Sequence, residues 1–116
     1  PSYPRVQARG VNTYMERRLF LIEIYPGTEA EYDKRHDEIW PEMVDALRNS
    51  GFSNYSLFRS QTTVIGYVEC LPDIKTAGEK MSKEEVSIKW NESMKKIIDY
   101  DKTRSVPIFS QVWHMD

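Results

Sequence analysis

Thiol groups and membrane signals are almost absent from this sequence. Cys70 is the only cysteine among 116 residues, so the chain can form neither an internal disulfide nor the paired C-x-x-C ligands of a structural metal site. No apolar run approaches the roughly 20 residues that a membrane-spanning helix needs, and the N-terminus lacks the apolar core of a signal peptide. These absences predict a soluble cytoplasmic protein with no membrane partner.

An excess of basic charge is also missing. The 16 Lys and Arg residues are outnumbered by 18 Asp and Glu residues, which gives a formal net charge of −2. The basic residues form no stripe that would follow a phosphate backbone, and no glycine-rich phosphate loop occurs. We therefore expect no nucleic acid partner, and the sequence disfavours a phosphorylated ligand.

The residues that are present describe one ordinary globular domain. Hydrophobic residues make up 40% of the chain and aromatic residues 12%, which is enough for a modest core in a single unit. Residues 1–14 show neither helical nor strand periodicity, and we interpret them as an extension or a remnant of cloning. The domain is predicted to span residues 15–116.

Short apolar runs and turn residues divide that domain into strands and helices. Runs rich in β-branched and aromatic residues indicate strands, and Thr or Ser followed three residues later by Glu has the spacing of a helix-start capping box. Pro41 interrupts the first helix, so one bent helix and two consecutive helices both fit the pattern. The predicted elements are a strand at 17–25, a helix from Thr28 toward Asn49, strands at 54–59 and 63–70, a helical turn at 72–80, a helix at 83–99 behind a Ser82–Glu85 capping box, and a strand at 107–115.

The order of these elements predicts the fold class. Strand, helix, strand, strand, helix, strand is the order of a ferredoxin-like split βαβ sandwich, an α+β fold with its helices on one face of the sheet. The first strand nevertheless carries apolar residues on both faces, with Phe20 and Ile22 on one side and Leu19 and Leu21 on the other. A second copy of the chain is the simplest cover for the face without helices. We therefore predict a homodimer packed through its sheets, the arrangement of dimeric α/β-barrel proteins.

Three polar-tipped rings share one side of the first helical segment. Tyr32, His36 and Trp40 are four residues apart, so on a continuous helix they lie nearly above one another. A lone inward histidine is most often a packed residue whose ring nitrogens are satisfied by neighbours. The phenol and the indole beside it favour a pocket instead, because three polar tips on a core face are costly unless they meet something polar.

Two further aromatic residues complete a possible cavity. Tyr55 on the second strand and Trp90 on the last long helix would face the same space if both side chains point toward the helix layer. Ordinary packing explains each of them singly. Together they would form an aromatic pocket that suits a neutral ligand with C–H faces and hydroxyls, and a small neutral monosaccharide fits that description.

The acid-base chemistry of histidine indicates which kind of reaction the site could catalyse. Imidazole titrates near neutrality, so His36 can accept and return a proton, and interconversion of sugar anomers needs little else. We expect no cofactor and no metal. A metal site built from His36, Asp37, Glu38 and His114 would need helix neighbours that point in different directions. A Ser-His-Asp triad remains open, although no G-x-S-x-G motif occurs.

These stretches resemble a known family. EYDKRHDEIWPEM at 31–43, followed by GFSNYSLF at 51–58 and by the Trp90 helix, is similar to the L-rhamnose mutarotase family. Its members carry Tyr, three residues, His, three residues and Trp-Pro-Glu, and then Asn-Tyr-Ser or a close variant. The resemblance covers about residues 17–116, and it implies a dimeric ferredoxin-like α+β domain.

The resemblance also implies residue roles. His36 matches the proton donor of the family, and Tyr32 and Tyr55 match two substrate-contacting tyrosines. Trp90 matches the first of two consecutive tryptophans that touch the sugar, and the second of that pair is Asn91 here. We list Trp40 as a further possible sugar contact from its place on the helix.

The leading hypothesis is therefore an isomerase, an L-rhamnose mutarotase-like 1-epimerase, with His36 and Tyr32 as the catalytic residues. Asn91 and the ending VWHMD, which looks like VFHLD endings of other members, leave L-fucose or another 6-deoxy or pentose sugar open. A non-catalytic sugar-binding module and a cofactor-free or haem-handling oxygenase are the hypotheses from other classes.

Overall fold

The computed structural model describes residues 5–8, 11–106 and 108–116 of the chain. Its strands are β1 (Arg5–Ala8), β2 (Val11–Tyr14), β3 (Glu16–Glu23), β4 (Phe52–Ser60) and β5 (Thr63–Cys70). Its helices are α1 (Glu29–Asp37), α2 (Pro41–Ser50), α3 (Ile74–Ser82), α4 (Glu85–Ser93) and α5 (Tyr100–Arg104). Within this part of the chain, no helix is both long enough and apolar enough to cross a membrane.

A three-stranded antiparallel sheet forms the centre of the molecule, in the order β3-β5-β4. Helices pack on the face that carries Ile22 of β3, Ile24 just after it, and Val64 and Val68 of β5. The class predicted from the sequence, α+β with a ferredoxin-like order of strands and helices, is confirmed. The opposite face keeps exposed apolar side chains, among them Leu19 at 38% exposure.

The predicted last strand is wrong. Residues 108–116 form neither a strand nor a helix and are exposed, and residue 107 of that prediction lies outside the described residues. The position beside β3 is partly taken by other groups: the backbone N–H of Asp99 donates to the Glu23 carbonyl over 2.9 Å, and the Thr103 hydroxyl accepts from the Glu23 N–H over 3.0 Å. Thr103 lies on α5, a helix that the sequence pattern did not predict.

The first fourteen residues contain structure that periodicity did not reveal. Backbone pairing of β1 with β2 forms a separate antiparallel hairpin, in which Ala8 is opposite Val11. Its strands are only four residues each, too short for the alternation of apolar and polar residues that indicates a strand. The division at residue 15 between an extension and the domain stays a prediction.

The first predicted helix is two helices, the second of the two alternatives that Pro41 left open. Pro41 is the first residue of α2, where its missing N–H costs nothing, and Trp40 before it is extended at φ −62° and ψ 130°. The predicted stop is confirmed, since Gly51 ends α2 in the left-handed region at φ +112°. A side chain there would also collide with the Leu71 carbonyl oxygen, 2.2 Å from the position of a Cβ.

Both capping boxes are wrong. The Thr28 hydroxyl donates backward to the Tyr25 carbonyl over 2.6 Å, and the Ser82 hydroxyl donates to the Glu79 carbonyl over 2.7 Å, so neither accepts from its helix. The last long helix is also shorter than predicted, because α4 ends at Ser93 rather than near residue 99. A hydroxyl that donates to a nearby backbone carbonyl is turned away from the N–H groups at the helix start and does not cap them.

The core lies between the helices and the sheet. Its buried members are Ile24, Tyr32, Met43, Ala46, Val64, Met81, Trp90, Met94 and Ile97. A smaller cluster of Val68, Cys70 and Ala77 lies toward α3. Phe20 packs against this second cluster and lies flat over Gly66 of β5, so closely that a Cβ at Gly66 would be 2.2 Å from its ring.

Candidate functional site

A cavity of about 500 Å³ opens between α1, α2, α4 and the edge strand β4. The predicted site residues His36, Tyr55 and Trp90 all line it. The remainder of its wall is mostly aliphatic, with polar groups at one end, and consists of Ile39, Met43, Val44, Leu47, Arg48, Phe52, Ser53, Asn54 and Leu57. A space of this size and lining suits a small neutral molecule with both apolar and hydroxyl surfaces.

The tautomer of His36 follows from one hydrogen bond. Its Nδ1 lies 2.9 Å from the backbone carbonyl oxygen of Tyr32, one helical turn earlier. Because a carbonyl oxygen can only accept, Nδ1 carries the hydrogen of the neutral ring. The other ring nitrogen, Nε2, is then the one with a free lone pair.

Aromatic rings hold the imidazole on both sides. The Tyr32 ring lies against it with centroids 4.4 Å apart, and the Trp90 ring meets it edge-on with centroids 5.4 Å apart. Trp40 in turn meets Trp90 edge-on at 5.2 Å. Trp40 therefore packs against Trp90 but, unlike His36, Tyr55 and Trp90, does not line this cavity.

A β-bulge turns Tyr55 toward the helices. The register between β4 and β5 shifts between Ser53 and Ser56, and Asn54 at the shift has a positive φ of 45°. The Asn54 side chain holds this geometry by donating to the Glu69 carboxylate over 3.0 Å. The extra residue reverses the alternation of the strand, as bulges do next to functional sites. The Tyr55 ring then packs edge-on against Phe20 at 6.0 Å.

Tyr32 lies on the other side of His36. It is 3% exposed and lines a second cavity of about 400 Å³, which shares His36 and Leu57 with the first. The structure thus places three other predicted residues, Tyr32, Tyr55 and Trp90, in the walls of the two cavities that His36 lines. Asn91, which the family resemblance puts beside Trp90 as a further sugar contact, is exposed and lies outside the cavity wall.

Burial changes the acidity of three groups at and behind the site. Desolvation raises the pKa of the Tyr55 phenol from 10.0 to about 12, although 41% of that residue is exposed, because the surroundings of its hydroxyl are enclosed. It raises the pKa of the Cys70 thiol from 9.0 to about 11. It also raises the pKa of Tyr32, to which the nearby Tyr55 contributes. All three groups therefore keep their protons at neutral pH.

This burial predicts a loss of stability in alkali. The unfolded chain releases these protons near their ordinary pKa values of 9.0 and 10.0, whereas the folded chain still holds them. The contribution of these groups to the free energy of unfolding is therefore fully present below about pH 9. It is lost as the pH rises toward the pKa values of the folded chain. Urea unfolding followed by circular dichroism between about pH 8 and pH 11 measures this slope. Tyr55→Phe, which keeps the ring and removes the proton, should flatten it, and an unchanged slope would contradict the assignment.

Two residues at the second cavity were not found from the sequence. Asp33 and Arg59 line it and form an ion pair across 26 residues of chain, with a side-chain N···O distance of 2.7 Å. The run DKR at 33–35 reads as a solvated helix face. A signal for the pair exists only once the bulge is known, since the bulge is what puts Arg59 on the helix side of β4.

The fold and the cavity together define a small α+β protein with one sugar-sized aromatic site around a histidine. The family model for L-rhamnose mutarotase matches residues 17–115. An L-rhamnose mutarotase of Oceanobacillus iheyensis is 37% identical over 107 residues, covering 88% of this chain and 100% of the relative. One from Listeria monocytogenes is 39% identical over 93 residues, covering 78% and 88%. The chain belongs to the L-rhamnose mutarotase family.

A solved structure agrees with this assignment. The crystal structure of an L-rhamnose mutarotase from Formosa agariphila superposes with a TM-score of 0.70 at 26% sequence identity, and the match covers 87% of this chain and 99% of that one. The fold found here is therefore shared with a member of the same family.

Proposed function

We propose that this protein interconverts the α and β pyranose anomers of L-rhamnose, with His36 as the group that moves the proton. Family membership supports the reaction and the sugar. The observation that carries the role of His36 is its hydrogen bond to the Tyr32 carbonyl, because that bond fixes Nδ1–H and leaves Nε2 as a base beside a sugar-sized cavity.

The reaction then follows from one proton. Nε2 takes the proton of the anomeric hydroxyl, the bond between C1 and the ring oxygen breaks, and the imidazolium returns the proton to that oxygen. Rotation about the C1–C2 bond of the open-chain aldehyde exposes its other face, and the reverse steps close the ring as the other anomer. The proton removed from the anomeric hydroxyl is returned to the ring oxygen and no atom changes oxidation state, so the reaction needs neither a redox cofactor nor a metal.

The aromatic residues are proposed to hold the sugar rather than to move protons. Burial raises the pKa of Tyr32 and Tyr55, so each hydroxyl keeps its proton and serves as a hydrogen-bond donor to sugar oxygens. Trp90 lines the cavity and offers an apolar aromatic ring to the C–H faces of the pyranose. This division leaves His36 as the group that exchanges protons with C1.

NMR exchange spectroscopy of the anomeric protons tests the proposal. Sub-stoichiometric protein added to L-rhamnose should give cross-peaks between the α and β H1 signals at mixing times where buffer alone gives none. L-fucose and L-lyxose in matched samples decide the alternative substrates, and we expect slower exchange for both. Saturable binding without faster exchange of any sugar would contradict a mutarotase and support a non-catalytic sugar-binding module.

We also propose a homodimer formed through the sheet face that carries no helices. Leu19, Phe58 and Ile65 on the outer side of the sheet are 38%, 65% and 40% exposed, which makes an apolar surface typical of an interface. Light scattering should give twice the chain mass of 13.7 kDa. Ile65→Glu should lower that mass, while Ile88→Glu on α4, which changes an equally apolar residue at 58% exposure, should not. A monomeric native protein would contradict the dimer.

A cytoplasmic location is proposed as well. Its support is the single cysteine, which is buried and free, as is usual for proteins of reducing compartments.

A further inference from the structure

The second cavity differs in chemistry from the first. Both are lined by His36 and Leu57, so they meet at the imidazole. Where the first is walled by aromatic and aliphatic side chains, the second of about 400 Å³ has charged and hydroxyl groups around it. Its remaining lining residues are Tyr32, Asp33, Asp37, Arg59 and Val64.

The Asp33 carboxylate in this cavity is held in one orientation. Arg59 donates from Nε to Oδ1 and from Nη2 to Oδ2, both over 2.7 Å, which is the bidentate geometry that Arg and a carboxylate prefer. A third donor of Arg59, Nη1, bonds the Gln61 carbonyl over 2.9 Å at the turn between β4 and β5. The bond to Gln61 fixes the Arg59 guanidinium to its own hairpin. The guanidinium therefore sets the orientation of the Asp33 carboxylate.

The fixed carboxylate still has room to accept. The hydrogen bonds from Arg59 lower the pKa of Asp33, so the group is ionised near neutral pH and only accepts hydrogen bonds. A carboxylate offers about four lone-pair positions, and Arg59 uses two of them. The side chain is 48% exposed, so the other positions are open to a donor that enters the cavity.

An independent observation indicates a ligand in the same place. Tyr32 is 97% removed from solvent, given its 3% exposure, and it lines this cavity. Among the residues whose side chains the structure describes, the Tyr32 hydroxyl makes no hydrogen bond, and it is not a fully buried atom, because Arg17 Nη1 is the one fully buried side-chain polar atom there that lacks a partner. The Tyr32 hydroxyl is therefore open to the cavity, where a hydroxyl-rich ligand would bond it together with Asp33.

We propose that Asp33, positioned by Arg59, accepts a hydrogen bond from the C2 or C3 hydroxyl of the bound sugar and thereby selects among neutral pyranoses. The proposal rests on the mutarotase function, which puts C1 at His36. Side chains three residues apart on a helix are neighbours, so a sugar whose C1 lies at His36 has its C2 and C3 hydroxyls on the side of the ring nearest to C1, within reach of the Asp33 carboxylate. Asp33 is then a specificity residue, and Arg59 is a positioning residue that acts through it.

Affinity measured against deoxy sugars tests the contact. We expect Asp33→Ala to weaken binding of L-rhamnose by about 10-fold to 100-fold, the size of a lost hydrogen bond to a charged group, with a larger effect on KM than on kcat. Either the 2-deoxy or the 3-deoxy analogue should bind the native protein as weakly as Asp33→Ala binds L-rhamnose. For that analogue, Asp33→Ala should cause no further loss. Isothermal titration calorimetry and anomer exchange are measured on the same samples.

Arg59 and a control variant complete the test. Arg59→Met should lose affinity as Asp33→Ala does, the double variant should be no worse, and Arg59→Lys should recover part of the loss. Glu31→Ala removes another ion pair of α1, to Arg35, at a residue outside both cavities, and should leave affinity unchanged. Equal weakening of all three sugars, or of none, in Asp33→Ala would overturn the proposal.

The two proposals fail differently. Native protein that binds L-rhamnose without exchanging its anomers contradicts the mutarotase function, while the pattern of affinities still decides the role of Asp33. Absence of sugar binding overturns both.

Discussion

His36→Ala is expected to reduce protein-catalysed exchange between the L-rhamnose anomers by about 100-fold to 10,000-fold, the usual contribution of a positioned acid-base group. The physical reason is that Nε2 of His36 is the proposed carrier of the anomeric proton, with its tautomer fixed by the Tyr32 carbonyl. The exchange rate is read from build-up of the anomeric cross-peaks at saturating sugar.

Its matched control is the other histidine. His114 pairs with Asp116 over 2.8 Å in the exposed C-terminal segment and lines neither cavity. His114→Ala should therefore exchange the anomers at the native rate. Binding of L-rhamnose by His36→Ala separates chemistry from folding, and a variant that keeps the native exchange rate would remove His36 from the mechanism.

Trp90→Ala is expected to have the largest effect on stability, about 3–5 kcal/mol in the free energy of unfolding. Trp90 is 7% exposed, contacts His36 and Trp40 edge-on, and belongs to the main core. Its removal leaves a void that these rings cannot fill without moving. Urea unfolding at constant pH gives the change.

Met94 separates the structural role of Trp90 from its proposed sugar contact. It follows α4 directly, is fully buried at 0% exposure, and does not line the cavity. Met94→Ala should lose about 2–5 kcal/mol of stability and still bind L-rhamnose with native affinity where it is folded. Trp90→Phe, a milder change, should weaken binding while losing less stability. Equal affinities for Trp90→Phe and the native protein would contradict a sugar contact.

The sequence predicts the histidine side of the site well because its signal is local. Tyr32 and His36 are one helical turn apart, and that spacing alone brings their rings to 4.4 Å. The Trp90 placement needed only the fold class, which the order of elements supplied, whereas the Tyr55 placement depends on the bulge at Asn54. Trp40 lies outside the cavity wall because Pro41 starts a new helix there, and the extended residue before a proline leaves the face of the first helix.

The polar side of the site depends on a feature with no local signal. Without the bulge at Asn54, the alternation along β4 would point Phe58 rather than Arg59 at the helices. The sequence around Asn54 gives no sign that an extra residue is accommodated there, since asparagine tolerates a positive φ in many settings. The ion pair between Asp33 and Arg59 is therefore a consequence of tertiary structure.

The C-terminal segment shows the limit of composition. PIFSQVWHM has the apolar and β-branched content of a strand, but a strand forms only where another strand edge is available to pair with it. In this chain the segment from Ile97 to Thr103 occupies the end of β3, as its hydrogen bonds to Tyr25 and Glu23 show. The strand propensity of these residues is therefore real, but it did not predict their structure.

The contact between Phe20 and Gly66 has a consequence for how this protein can evolve. Phe20 rests on a glycine and supports Tyr55 from outside the cavity wall. Room for a bulkier sugar can therefore be gained by trimming Phe20, which lets Tyr55 settle deeper, without altering any group that handles a proton. Phe20 lines neither cavity, so a laboratory selection for new sugars can begin at Phe20.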